Sequence, residues 1–291
     1  MFRFQFRRML RCREFRAAVL LAMLVICGNL LRGAWSSHGM DASRILSAGE
    51  WYTGNGLSLG WSVFSAVWPF LVVLPFATSF IGEKKDQIVV PAVSRGSYGR
   101  FMVSKVVVAG LGSMMVIGGA LLAELLVSYV IYPVNHNVQL TGYQSDNFIR
   151  DLLGTNQMYR SCAPETPLYG LYLNHPFLFE LVYVIINSGF AFLCGCTISA
   201  LSLCMSNSRI ALFLPLYIIV YGSLRLRTIL WDKAIAANSV FVNPYWMDYL
   251  APFGVGSLSG VYVAAVCGIL AAVTIGCTTL GIRNGFRAVQ G

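Results

Sequence analysis

A chain of 291 residues could make one or two soluble domains, but the composition excludes them. Apolar residues make up 57% and charged residues 11%, less than half the usual charged share, and mean hydropathy is +0.67. The net charge of +9 calls for no nucleic acid, since the basic residues cluster beside apolar runs, where they face anionic headgroups.

Long apolar runs are the mark of membrane helices. Six are predicted: Ala17 to Leu31, Leu59 to Ile81, Met102 to Tyr132, Phe177 to Met205, Ile210 to Leu224 and Ser257 to Ile282. The first and fifth are short for a hydrocarbon core of about 30 Å and must borrow length from their flanks. The backbone in lipid has to satisfy its own hydrogen bonds, so helices are expected. The predicted fold is an all-α integral membrane protein of one domain over 1–291. It has six transmembrane helices, an N-terminal interfacial helix and an outer re-entrant hairpin before the last helix.

In chain order, residues 1–16 come first. Phe2, Phe6, Met9 and Leu10 share one helical face, and Arg3, Arg7 and Arg11 another, with Glu14 next in line. This predicts a basic amphipathic helix in the cytoplasmic interface, bent into the first span. A signal peptide is the competing reading, but "RGAWSSHGM" after Leu31 lacks a small-x-small cleavage site. A polar loop, 32–58, leads to the second span.

The stretch 83–105, "EKKDQIVVPAVSRGSYGRFMVSK", then interrupts the apolar chain with five basic residues, two acids and a proline. Pro91 breaks helix, Ser94 can cap a short one, and Lys105 is expected to anchor the third span at the interface.

Two acids fall in or near spans, Glu124 in the third and Glu180 at the start of the fourth. A carboxylate at membrane depth raises a functional hypothesis. Glu124 lies about eight residues from the outer end of its span, roughly 12 Å deep. Either acid could pair with Arg225 or Arg227 or snorkel to water. Alternatively they line an outward cavity, and Glu124 is the cargo-side candidate.

The outer segment 133–176 contains "NFIRDLL" (147–153), which predicts a short surface helix. The fourth span carries small residues at Ala191, Gly195 and Ser199. After the fifth span, 225–256 crowds Trp231, Phe241, Tyr245, Trp246, Tyr249 and Phe253 into a segment too polar to span. It is read as a re-entrant or interfacial hairpin on the outer face, with a structured extracellular cap as the other reading. The sixth span repeats small residues every fourth position: Gly256, Gly260, Ala264, Gly268, Ala272 and Gly276. Such a stripe serves close helix packing or a dimer seam, and packing within one subunit is favoured.

Of the 21 Lys and Arg residues, 14 fall in the N-terminal segment, the stretch 83–105, the turn at Arg209 and the tail after Ile282. The other seven (Arg32, Arg44, Arg150, Arg160, Arg225, Arg227 and Lys233) fall on the opposite side. This bias puts both termini and the stretch 83–105 in the cytoplasm of a multi-pass plasma-membrane protein. An even number of spans agrees.

There is no G-x-x-x-x-G-K-[ST], so no P-loop. His38, His136 and His175 all fall in predicted external segments, which leaves no His at membrane depth for an intramembrane protease. Only Cys162 among eight cysteines is predicted outside, and Cys194-Gly-Cys196 lacks metal or redox spacing. No enzyme, metal site or disulfide framework is expected.

On Glu83, Pro91, Ser94, Arg95, Tyr98, Arg100 and Lys105 the sequence resembles the type-2 ABC transporter permease family. Its members commonly show an acid leaving the second span, a run ending in P-x-S-R, an aromatic residue and a Lys opening the third span. This chain departs from the pattern in carrying "DQIVV" (86–90) where Gly-Thr-Leu is usual, and in a longer reach from Arg95 to Lys105.

The resemblance covers essentially the whole length and is an expectation about function. It implies a transporter membrane subunit, moving a small amphiphilic molecule, drug or peptide outward. The stretch 83–105 would be the coupling loop on a separate ABC ATPase subunit. It implies a second permease chain, as homodimer or heterodimer, with ATP and Mg on the ATPase and no cofactor on this chain. The alternative is a membrane assembly or sensing protein whose basic surface recruits a non-ATPase partner.

Overall fold

Apolar runs without water must close their own backbone hydrogen bonds. The computed structural model accordingly shows seven helices and no strand among the described residues, which are 1–39, 48, 52–53, 59–76, 79, 98–132, 168, 171, 175–204, 209–237, 250 and 260–290. The helices are α1 (Phe2–Arg11), α2 (Arg13–Ser37), α3 (Leu59–Val73), α4 (Tyr98–Ile131), α5 (Pro176–Cys204), α6 (Arg209–Ala237) and α7 (Gly260–Gln290).

Four are long and apolar enough to cross a membrane: α2, α4, α5 and residues Ala264–Arg283 of α7. α3 is apolar but shorter. The described residues are all-helical in their regular structure, and the chain is a membrane-embedded protein. Its surface supports this. Leu24, Leu31, Val130, Ile185, Ile269 and Ile275 point outward, while Asn29, Ser113, Glu124, Asn187 and Ser202 are buried. A water-soluble protein distributes these residue types the other way.

α1 and α2 are separated by one extended residue, Cys12, at φ −71° and ψ 148°. Its sulfur accepts from the Phe15 amide at 3.3 Å, capping α2, and its thiol donates to the Pro75 carbonyl at 3.3 Å. Glu14 sits in the first turn of α2, where the helix dipole favours a negative charge. α1 turns Gln5 and Met9 inward, one turn apart, and Met9 packs with Phe76, Val108 and Ala109. Of the apolar stripe, Met9 is buried against the chain, while Phe2 and Leu10 are exposed.

Neighbouring side chains give the helix directions. Asn29 meets Glu124 and Leu30 meets Tyr132, so α2 and α4 run the same way. Gly110 faces Cys196 and Gly118 faces Ser188, so α5 runs against α4. Tyr221 donates to the Ala66 carbonyl at 3.1 Å and the Tyr217 and Phe70 rings meet, so α6 runs against α3. Thr197 contacts Thr274, and Cys204 donates to the Cys277 carbonyl, so α7 runs with α5. α3 runs against α4, since Gly60 lies beside Asn29 and Thr53 while Pro75 lies beside Gly112. Chain direction therefore alternates through α2, α3, α4, α5, α6 and α7. The end that holds α1 is called here the terminal end, and the end near Glu124 the distal end.

α4 is the centre. Its interface with α5 is the most extensive in the bundle, and it depends on missing side chains. A Cβ at Gly110 would collide with the Cys196 sulfur and lie 2.7 Å from the Phe192 carbonyl oxygen. Gly195 of α5 fits against Ser113 and Ala109 in the same way, and Ala191 and Ser199 beside it are buried. The fourth-span small residues therefore serve packing within the chain.

Several boundaries differ from expectation. α2 and α6 do gain length from their flanks, with 25 and 29 residues. α6 continues through Ala237, so residues 225–237 belong to one helix rather than a hairpin, because its backbone ladder closes without regard to the polar side chains. The expected "NFIRDLL" helix and the rest of 133–176 and 238–256 lie outside the described residues, apart from a few isolated positions.

Candidate functional site

At the terminal end, Tyr98, Arg100 and Lys105 are not loop but the first two turns of α4. Glu83, Pro91, Ser94 and Arg95 lie outside the described residues. Tyr98 is buried with Phe101 and Met102 against Leu203 of α5 and Ile282 of α7. Three helices thus clamp the point where the stretch rejoins the bundle. Arg100 is exposed and can reach a partner.

Lys105 differs from the interfacial anchor expected of it, being 0% exposed. Its ammonium sits 5.6 Å from the Phe76 ring centroid and 6.0 Å from that of Phe101. A cation over ring faces is attracted by their quadrupoles. Phe76 precedes the stretch and Phe101 follows its described start, so Lys105 ties the two flanks together.

At the distal end a polar cluster is closed off from the surroundings. Glu124 is 0% exposed. Its Oε1 accepts from Asn29 Nδ2 at 2.9 Å, from Thr53 Oγ1 at 2.5 Å and from the Thr53 amide at 3.2 Å, and Asn29 Nδ2 also donates to Thr53 Oγ1 at 2.9 Å. Gly60 of α3 allows the approach, since a Cβ there would lie 2.5 Å from Asn29 Oδ1 and 2.8 Å from Thr53 Oγ1. Glu180, 1% exposed, accepts from the Tyr129 hydroxyl.

Tyr52 is buried and close enough to sense both carboxyls; burial first, then Glu124 and Glu180, push its hydroxyl well above the ordinary tyrosine range. Pairing with Arg225 or Arg227, one of the alternatives for the two acids, is not among the hydrogen bonds of Glu124. Arg225 is exposed on α6, and the hydrogen-bond partners of Glu124 are Asn29 and Thr53.

Asn29 and Thr53 were not singled out in the sequence. Asn29 had a usable signal, as an amide inside "VICGNLL". Thr53 and Tyr52 had none, because a loop residue reveals its partners only after the chain has folded back.

The small-residue stripe of α7 does not pack within the chain where it is described. Ala264, Gly268 and Ala272 are exposed, and a Cβ at Gly268 or Gly276 would meet nothing within 4 Å. Gly256 lies outside the described residues.

No group of three or more His, Cys, Asp or Glu side chains that could hold a metal occurs among the described residues. No known family model, curated protein or solved structure matches this chain.

Proposed function

We propose that the chain is the membrane subunit of an ATP-driven exporter of the type-2 ABC kind, worked by a separate ATPase. The observation that carries this reading is the basic stretch 83–105. It is set between two apolar helices, with Lys105 and Tyr98 buried at its return. A segment serving only as a stop-transfer signal needs charge but no anchor. A segment that transmits force needs both flanks fixed to rigid elements. In this reading Glu83, Pro91, Ser94, Arg95 and Arg100 contact the ATPase, while buried Lys105 positions the stretch.

The alternating helix directions support six passes with both termini cytoplasmic. α1 then lies in the inner interface at the level of Gly112, beside which Met9 packs. From Gly112 to Glu124 the helix rises about 18 Å, leaving Glu124 about 12 Å below the outer face of a core of about 30 Å. That depth agrees with the one counted from the outer end. The first turns of α4 project inward past the level of α1, where a cytoplasmic subunit can push them. ATP-driven closure of two ATPase chains would shift two such bundles between inward and outward states. Glu124 is assigned to the cargo side.

The test is a detergent-solubilised complex from the native membrane. It is expected to contain a P-loop subunit and to hydrolyse ATP. Glu83→Ala with Arg95→Ala should lower cargo-stimulated hydrolysis while leaving the complex assembled. A stable complex with no nucleotide-binding chain would instead favour a membrane assembly or sensing protein.

A further inference from the structure

We propose that Cys204 and Cys277 form a redox-modified dithiol, which a low-molecular-weight disulfide oxidises to a reversible staple between α5 and α7. The inference rests on the register of these two helices and stands whether or not an ATPase drives the chain.

α5 and α7 run the same way, and their polar contacts keep one offset. Thr197 Oγ1 donates to the Leu270 carbonyl at 3.3 Å, and the Cys204 thiol donates to the Cys277 carbonyl at 3.3 Å, each across 73 positions. The hydroxyls of Thr197 and Thr274 meet at 2.9 Å between these contacts. Cys194 and Cys267 stand at the same offset. The helix pair therefore carries two cysteine rungs, about 15 Å apart along the axis. The deep rung is closed, since Cys194 is buried and both of its cysteines belong to the main apolar cluster. The end rung is open. Cys204 is exposed at the last residue of α5, and Cys277 is half-buried.

The end rung has the geometry for a covalent link. Its two thiols are hydrogen-bonded to each other. A disulfide sets its Cβ atoms about 3.8 Å apart. Beside the rung the main chains come closer than that, for a Cβ at Gly281 would lie 2.8 Å from the Leu203 Cβ. A cysteine in lipid is often only a small apolar filler. Cys194 fits that description. Cys204 does not, being exposed and bonded to the facing helix rather than packed in a core.

Thiol–disulfide exchange then proceeds in two displacements. The thiolate of Cys204, the accessible member, attacks one sulfur of the small disulfide. That S–S bond breaks, and one small thiol leaves. The Cys277 thiolate attacks the Cys204 sulfur of the mixed disulfide and expels the second small thiol. The two cysteines lose two electrons and two protons, and the small disulfide takes them up as two thiols.

The position gives the link a consequence. Leu203, next to Cys204, and Ile282 of α7 pack against Tyr98, Phe101 and Met102. The staple fastens α5 to α7 where they clamp the first turns of α4. In the topology proposed above this end faces the cytoplasm, where thiols are kept reduced and a disulfide forms only transiently. Such a site responds to oxidant instead of forming a permanent bond.

The experiment treats the reduced full chain in lipid nanodiscs with glutathione disulfide and reads the products by mass spectrometry. The expected product is a peptide pair joined through Cys204 and Cys277 and released by dithiothreitol, with no joined peptide containing Cys194. Cys277→Ser should stop at a glutathione adduct on Cys204. The closing step is intramolecular, so its rate should not depend on the concentration of glutathione disulfide. Oxidation should also raise the melting temperature, and dithiothreitol should reverse the rise. Cys204→Ser keeps a donor for the Cys277 carbonyl and should show no such rise. A wild-type chain that stops at the glutathione adduct, joins Cys277 to another cysteine or another chain, or stays unmodified overturns the proposal. An oxidised chain that melts no higher than the reduced one overturns it as well.

Discussion

At the residue scale, the bundle is governed by where side chains are absent. Gly110 and Gly119 lie in the same helix, yet only Gly110 is packed. Gly110→Ala drives a Cβ against the Phe192 main-chain carbonyl, which cannot swing aside, and should destabilise by about 1–3 kcal/mol. Gly119→Ala meets open space and should stabilise by up to about 1 kcal/mol through helix propensity. Thermal denaturation of the two variants in one detergent checks the contrast. Cys12 offers a chemical test. Burial is the main influence that pushes its thiol up, so thiolate is scarce at neutral pH. With the other cysteines replaced, maleimide should label Cys12 more slowly than a free thiol, and faster as pH rises. Cys12→Ala should also cost about 0.5–2 kcal/mol through loss of the α2 cap, and Cys12→Ser less.

At the scale of elements, α1 shows what a periodic pattern can and cannot say. The spacing of Phe2, Phe6, Arg3 and Arg7 identified an amphipathic helix, and a helix forms at 2–11. That pattern does not say which residues face the bundle, because Gln5 counts as polar in any pattern yet is buried, with neither side-chain polar atom partnered. Met9 is the anchor. Met9→Ala should weaken the docking of α1 by about 2–5 kcal/mol and make residues 1–11 susceptible to protease, while α2 to α7 stay protected. α6 makes the complementary point. Its apolar run stops near Leu224 but the helix does not, since a run of hydropathy marks a medium and a helix ends only where caps or prolines end it.

For the whole molecule, alternating chain direction makes a topological prediction. Epitope tags at both termini should be cleaved only after cells are opened, whereas a protease site placed in 133–176 should be cut from outside in intact cells. Tags on opposite sides would remove the even number of passes and, with it, the cytoplasmic position of 83–105. On the exposed small face of α7, a Cβ at Gly268 would meet nothing within 4 Å. Introducing Leu there should therefore not destabilise the monomer, and helix propensity should add up to about 1 kcal/mol to its stability in thermal denaturation.

Much of the architecture was legible beforehand. Where the long helices would form, and that they are apolar enough for a membrane-embedded protein, follow from composition and spacing, because transfer into lipid is a local property summed over a run of residues. Other features depended on the folded chain. Lys105 looked like a surface anchor until Phe76, almost thirty residues earlier, came to lie over it. Glu124 stood open between an arginine partner, water and a cavity, and the sequence did not show that Asn29 and Thr53 converge on one of its oxygens. Burial and hydrogen-bond pairing between distant positions are set by the packing of several helices at once, and no local run of residues encodes them.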